Sequence, residues 1–154
     1  GHDDRLALPP LDRGRAVVLH MFGLPLDPDM KARLNQSVLS LRTIGFETVD
    51  NIRFDGKQAD ITADERADLF PALRTQRDLA PSDPRKAAPH IRQWLTNLEK
   101  DYTLAIVLAP APKADPDEPD TLVAITAGRN DVMTITNPDA QSLVSTALEV
   151  ADDR

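Results

Sequence analysis

The sequence predicts an α/β fold, a two- or three-layer sandwich on a mixed sheet. Three observations carry this expectation. Short apolar runs alternate with stretches in which apolar residues recur every three to four positions, the separate periods of strand and helix. Two of the runs, Ala16 to Phe22 and Tyr102 to Ala109, are almost continuously apolar, as strands covered on both faces are. A further pair, Thr121 to Ala127 and Val132 to Thr136, flanks the turn-forming Gly128-Arg129-Asn130-Asp131 and reads as a hairpin.

The elements are justified in chain order. Gly1-His2 reads as a tag remnant, and the stretch to Arg15, with Pro9 and Pro10, as a linker. Residues 16–154 are then expected to form a single domain. After the Ala16–Phe22 strand, Asp27-Pro28 supplies a capping side chain and a proline at the first helical position. Met30, Leu34, Val38 and Leu41 give the helix that follows its apolar stripe, and Gly45 stops it. Phe46 to Phe54 is a strand whose alternation breaks at Asp50 and Asn51, which places it at an edge or gives it a bulge.

Thr62-Ala63-Asp64-Glu65 has the form of a capping box and opens a helix to Phe70, with a fresh turn from Pro71 to Leu73. A proline-punctuated loop leads to a helix over 85–100 that buries Ile91, Trp94, Leu95 and Leu98. The Tyr102–Ala109 strand should be central. Pro110 to Asp120, with four prolines and four acids, reads as a solvated connection. It lacks the glycine and the distal bidentate glutamate of a calcium loop. After the hairpin, Asn137-Pro138 repeats the cap-then-proline start, and Ala140, Leu143, Val144, Ala147 and Leu148 mark a last helix. The expected order is β-α-β-α-α-β-β-β-α.

Composition narrows the function classes. The chain has 154 residues, 41% of them hydrophobic and 28% charged, which suits one globular core. A net charge of −7 argues against nucleic-acid backbones and anionic membrane surfaces. The absence of cysteine removes disulfides, thiolate catalysis and cysteine-based metal sites. No apolar run reaches the ~20 residues of a membrane span. Neither a metal nor a cofactor is expected, because no ligand cluster, phosphate-cradling glycine loop or nucleophile elbow stands in the sequence.

Few residues stand out as chemistry. His20 lies inside the first strand, where an imidazole can serve as a base, yet no second histidine stands at ligand spacing. The simpler reading is a hydrogen-bonded structural group. Arg74, Arg77 and Arg85, with Lys86 and Arg92, make the middle of an acidic chain locally basic. They read either as a docking face or as solvated helix surface. Arg129 sits at the hairpin tip, where binding groups and plain turn formers both occur.

The residues put forward for binding are Arg74, Arg77, Arg85 and Arg129, and none is put forward for catalysis. The β-α-β opening, with its helix end Leu41-Arg42-Thr43-Ile44-Gly45-Phe46, resembles envelope-associated modules that follow a membrane anchor. That likeness spans a minor part of the chain and assigns no family. The expected function is a non-catalytic binding or assembly domain with a protein partner, the extracytoplasmic part of an envelope or secretion-associated protein. The alternative is a small hydrolase using His20 with an Asp or Glu partner such as Asp50 or Asp131.

Overall fold

The computed structural model describes residues 11–20, 28–53, 84–98, 100–110, 115–119 and 121–151. Its elements are β1 (Gly14–His20), α1 (Pro28–Thr43), β2 (Phe46–Arg53), a 3-10 turn (Pro84–Ala87), α2 (Ala88–Asn97), β3 (Tyr102–Pro110), β4 (Leu122–Gly128), β5 (Val132–Thr136) and α3 (Ala140–Ala151). They form an α/β fold on one open, mixed sheet in the order β2-β1-β3-β4-β5. β1 pairs in parallel with β2 and β3, whereas β4 and β5 pair antiparallel. The expected helix from Thr62 to Phe70 and the turn after it lie outside the described residues.

Two cores flank the sheet, because successive strand residues face opposite ways. Val17, Leu19, Val107, Val123 and Ile125 gather with Ile91, Trp94, Leu95 and Leu98 beneath α2. Ala16, Val18, Leu104, Ile106 and Ala124 gather on the other face with Leu34 and Leu41 of α1 and Leu143, Ala147 and Val150 of α3. The sandwich therefore has three layers. β1 and β3, the strands expected to be central, lie inside the sheet, and β4 beside them is covered as well, with all seven of its residues buried.

The break in alternation at Asp50 and Asn51 has both of its expected consequences. β2 is an edge strand, and its register against β1 slips: Val17 pairs with Val49 but Leu19 with Ile52, an extra residue on β2. Gly45 ends α1 at φ +114, where a Cβ would also strike the Leu11 carbonyl oxygen at 2.2 Å. Only glycine fits there.

Three boundaries differ from the sequence reading. β1 begins at Gly14 because residues 11–13 are already bonded to the fold. The Arg13 N–H donates to the Gly45 carbonyl at 2.9 Å, and the Thr103 hydroxyl donates to the Arg13 carbonyl at 2.6 Å. The helix expected over 85–100 divides into the 3-10 turn and α2, with a proline in the first α-turn and none of its N–H to give. Finally, Asn137 does not cap α3. It takes φ +50, while Asp139 caps through its Oδ1, which accepts the Ser142 N–H at 2.8 Å.

Candidate functional site

The strand order turns at β1. From β1 the chain passes through α1 to β2 on one side, and it later returns to β3 on the other side. Right-handed crossovers running in opposite directions leave their helices on opposite faces, which is where α1 and α2 lie. The continuations of β1 and β3 therefore part, one toward α1 and one toward β4. Open α/β sheets bind ligands in the crevice outside the carboxyl ends of strands at such a switch point. Here that edge is formed by His20, in register with Arg53 and Leu108, and by Pro110 opposite Leu122.

The helices give this edge its electrostatic character. α1 starts from it. α2 ends over the opposite, amino edge, so its amino end points back toward the carboxyl one. α3 follows β5 and finishes against Gly128, where a Cβ would lie 1.8 Å from the Val150 carbonyl oxygen. Gly128 is opposite Leu104, at the amino edge of β3. All three described helices thus aim their amino ends, with about half a positive charge each, at one edge of the sheet.

On the α1/α3 face this edge opens as a narrow cleft lined by Met30, Arg33, Leu34, Ser37, Leu122, Asn137 and Pro138. Its width admits about one water-sized group. The Leu122 N–H donates to Asn137 Oδ1 at 3.2 Å, and the Asn137 N–H returns to the Leu122 carbonyl at 2.7 Å. Buried Ser37 donates to the Arg33 carbonyl at 2.9 Å and is satisfied within its own helix. Arg33 is exposed. Nearby, the N–H and hydroxyl of Ser142 hold the Asp139 carboxyl below its ordinary value, and the Arg33 charge adds to the effect.

The amino edge has a different character. It carries an open depression lined by Asp12, Arg13, Gly14, Arg15, Glu47, Asp101 and Thr103. Arg15 lies across it, 3.8 Å from Glu47 and 4.0 Å from Asp101, with its guanidinium 4.6 Å above the Tyr102 ring. These contacts tie β1, β2 and β3 together where they begin. Their chemistry is that of a clamp between strands.

The arginines put forward for binding do not meet. Arg74 and Arg77 lie outside the described residues. Arg85 is half-buried in the 3-10 turn before α2, whereas Arg129 stands at the far end of that helix. Arg129 Nε donates to the Tyr102 carbonyl at 2.9 Å, and its Nη1 and Nη2 reach the Thr96 and Leu98 carbonyls at 3.5 and 3.4 Å. Its guanidinium thus closes the end of α2. Arg92 complements it by donating to the Arg129 and Asn130 carbonyls of the turn.

The pairing of His20 with Asp131 is corrected by the topology. His20 ends β1 at the carboxyl edge, whereas Asp131 follows Gly128 at the amino edge, a strand length of ~20 Å away. Asp50 falls in the slipped stretch of β2, three positions before Arg53, the residue in register with His20. Among the described residues no group of three or more His, Asp or Glu is placed to hold a metal ion. Nor is any described helix long and apolar enough to cross a membrane. The importance of Arg33, Asn137 and Asp139 was not apparent from the sequence, because it depends on α1 and α3 being neighbours.

No protein-family model and no curated protein matches the chain. Two solved structures are similar to it. One is competence damage-inducible protein A (ComA) from Klebsiella pneumoniae subsp. pneumoniae MGH 78578, at 10% identity over 90% of this chain and 81% of that one, with a TM-score of 0.39. The other is a Competence-Damaged Protein (CinA) superfamily protein from Klebsiella pneumoniae 700603, at 12% identity over 90% and 82%, with a TM-score of 0.37.

Likenesses this distant assign no activity to the chain. The expectation of a non-catalytic binding or assembly domain of the cell envelope is withdrawn: the solved structures similar to the chain are titled as competence-damage proteins. The residues in hand define an α/β chain with a parallel half in which the strand order turns at β1, whose helix amino ends lie at the carboxyl edge of the sheet, beside a mostly apolar cleft between α1 and the β4–β5 end.

Proposed function

We propose that this chain binds a small anionic metabolite at the carboxyl edge of β1 and β3. One observation carries the reading: the strand order turns between these strands, and α1, α2 and α3 all direct their amino ends to the same edge. Aligned peptide dipoles favour phosphate or carboxylate there, even on a molecule of net charge −7. Arg33 at the cleft and Arg85 beside α2 add positive charge from the two faces, so the proposed binding role of Arg85 belongs to this site. The first turn of α2 holds no acid, and Arg85 and Lys86 stand in the 3-10 turn that leads into it.

The test is a panel of phosphorylated and carboxylated metabolites, each beside its neutral counterpart, assayed by thermal shift and calorimetry. An anionic member should raise the melting temperature and bind saturably, and its neutral counterpart should not. Arg33→Glu together with Arg85→Glu should weaken that binding by ~10-fold or more while leaving the unliganded melt nearly unchanged. Equal binding of neutral counterparts, or binding untouched by the double reversal, contradicts the reading.

A further inference from the structure

The two edges of the sheet are built differently. The outer strand at one end, β2, carries exposed Glu47 and the register slip between Val49 and Ile52. A charge and an extra residue are both devices that block pairing with another strand. The outer strand at the other end, β5, has neither. Its sequence Val-Met-Thr-Ile-Thr holds no charge and no proline, and it runs in unbroken register from Val132 opposite Ala127 to Thr136 opposite Val123. Among the described residues no strand lies beyond it.

The hairpin fixes which backbone groups β5 turns outward. The Gly128 N–H donates to the Asp131 carbonyl at 2.8 Å, so residues 128 and 131 are a hydrogen-bonded pair. Bonded and non-bonded pairs alternate from there. Met133 and Ile135 consequently bond inward to Thr126 and Ala124, and Thr134 and Thr136 present their N–H and C=O groups outward; Val132 turns its C=O outward, while its N–H donates to its neighbour Asp131 Oδ1 at 2.8 Å.

From this geometry we infer that β5 is a self-association edge, on which two copies of the chain pair β5 with β5 antiparallel about a two-fold axis through Thr134. The outward residues are spaced symmetrically about Thr134. Thr134 therefore meets Thr134 of the second copy, and Val132 meets the second copy's Thr136. About four hydrogen bonds close the seam, two between the Thr134 residues and two from the Thr136 N–H groups to the Val132 carbonyls. On the face covered by α3, half-buried Met133 comes opposite the second copy's Ile135, extending the core across the junction. On the other face the central pair is threonine on threonine, a favourable cross-strand pair. No like charges oppose one another within the strand. The net charge of −7 opposes association in general, so the strand itself specifies the pairing.

The test is sedimentation of the full chain over a concentration series up to about 1 mM, alongside Thr134→Lys and, as a control with the same charge change, Gln141→Lys on the exposed side of α3. The wild-type chain should show a reversible monomer–dimer equilibrium, weakened ~10-fold or more by Thr134→Lys and left unweakened by Gln141→Lys. Because either lysine lowers the net charge, repulsion alone predicts strengthening by both. Amide exchange gives a second readout that needs no variant: the Thr134 and Thr136 amides should gain protection as concentration rises. A monomer throughout, a dimer indifferent to Thr134→Lys, or full protection of those amides in the dilute monomer would each overturn the inference. The last result would mean that the chain itself covers the edge.

Discussion

Thr126 shows how a single residue can sit at odds with its surroundings. It lies in β4 on the face of Leu122 and Ala124, fully buried, and its hydroxyl has no hydrogen-bond partner among the described residues. A buried hydroxyl loses its water without compensation. Thr126→Val keeps the branched shape and removes the polar atom, so it should stabilise the fold by about 1 kcal/mol, or ~2–4 °C in melting temperature at this chain length. A fall in melting temperature would show that the hydroxyl is bonded after all. The sequence gives no sign of this mismatch, since threonine is an ordinary strand residue. Other single residues were readable because their signal is local. Gly45 announces a left-handed stop, and Asp50-Asn51 interrupts an apolar alternation. Arg129 was not readable, because the carbonyls it serves lie 27 to 33 residues away in the chain.

Among the elements, α3 illustrates both the reach and the limit of local signals. Its apolar face was plain from the spacing of Leu143 and Ala147. Its cap was misplaced because Asn137-Pro138 mimics a helix start, whereas Asn137 is used in a turn back to Leu122 and the cap falls to Asp139. Asp139 and Ser142 satisfy each other reciprocally: the Asp139 N–H donates to Ser142 Oγ at 3.0 Å, and the Ser142 N–H donates to Asp139 Oδ1 at 2.8 Å.

This cap sets a pH dependence. The folded carboxyl titrates below its unfolded value, so its stabilisation is fully present above the ordinary carboxylate range and is lost as pH falls through the depressed folded value. Asp139→Asn keeps a good capping oxygen without the charge. Its melting temperature should lie below that of wild type at neutral pH, and the gap should close in strong acid. A gap that stays constant with pH would show that the charge contributes nothing.

At the scale of the whole molecule, the strand and helix pattern could be read from sequence periodicity, and the strand order could not. Nothing in Ala16–Phe22 or Tyr102–Ala109 says that β2 and β3 flank β1 on opposite sides. That single fact creates the switch point and brings His20, Pro110 and the amino ends of three helices to one edge. It also sends Asp131 and Arg129 to the other edge, which undoes the pairing of His20 with Asp131. The candidate site is thus a property of topology, invisible to motif reading.

The measurement that tests this claim most directly is amide-resolved NMR of the full chain titrated with the tightest-binding anion of the panel. The expected result is a saturable set of shifts centred on the amides of His20, Arg53, Leu108, Leu122 and Asn137, with the amides of Arg15, Asp101 and Arg129 unmoved. Shifts concentrated on that second group would place the functional edge at the opposite end of the sheet and contradict the account.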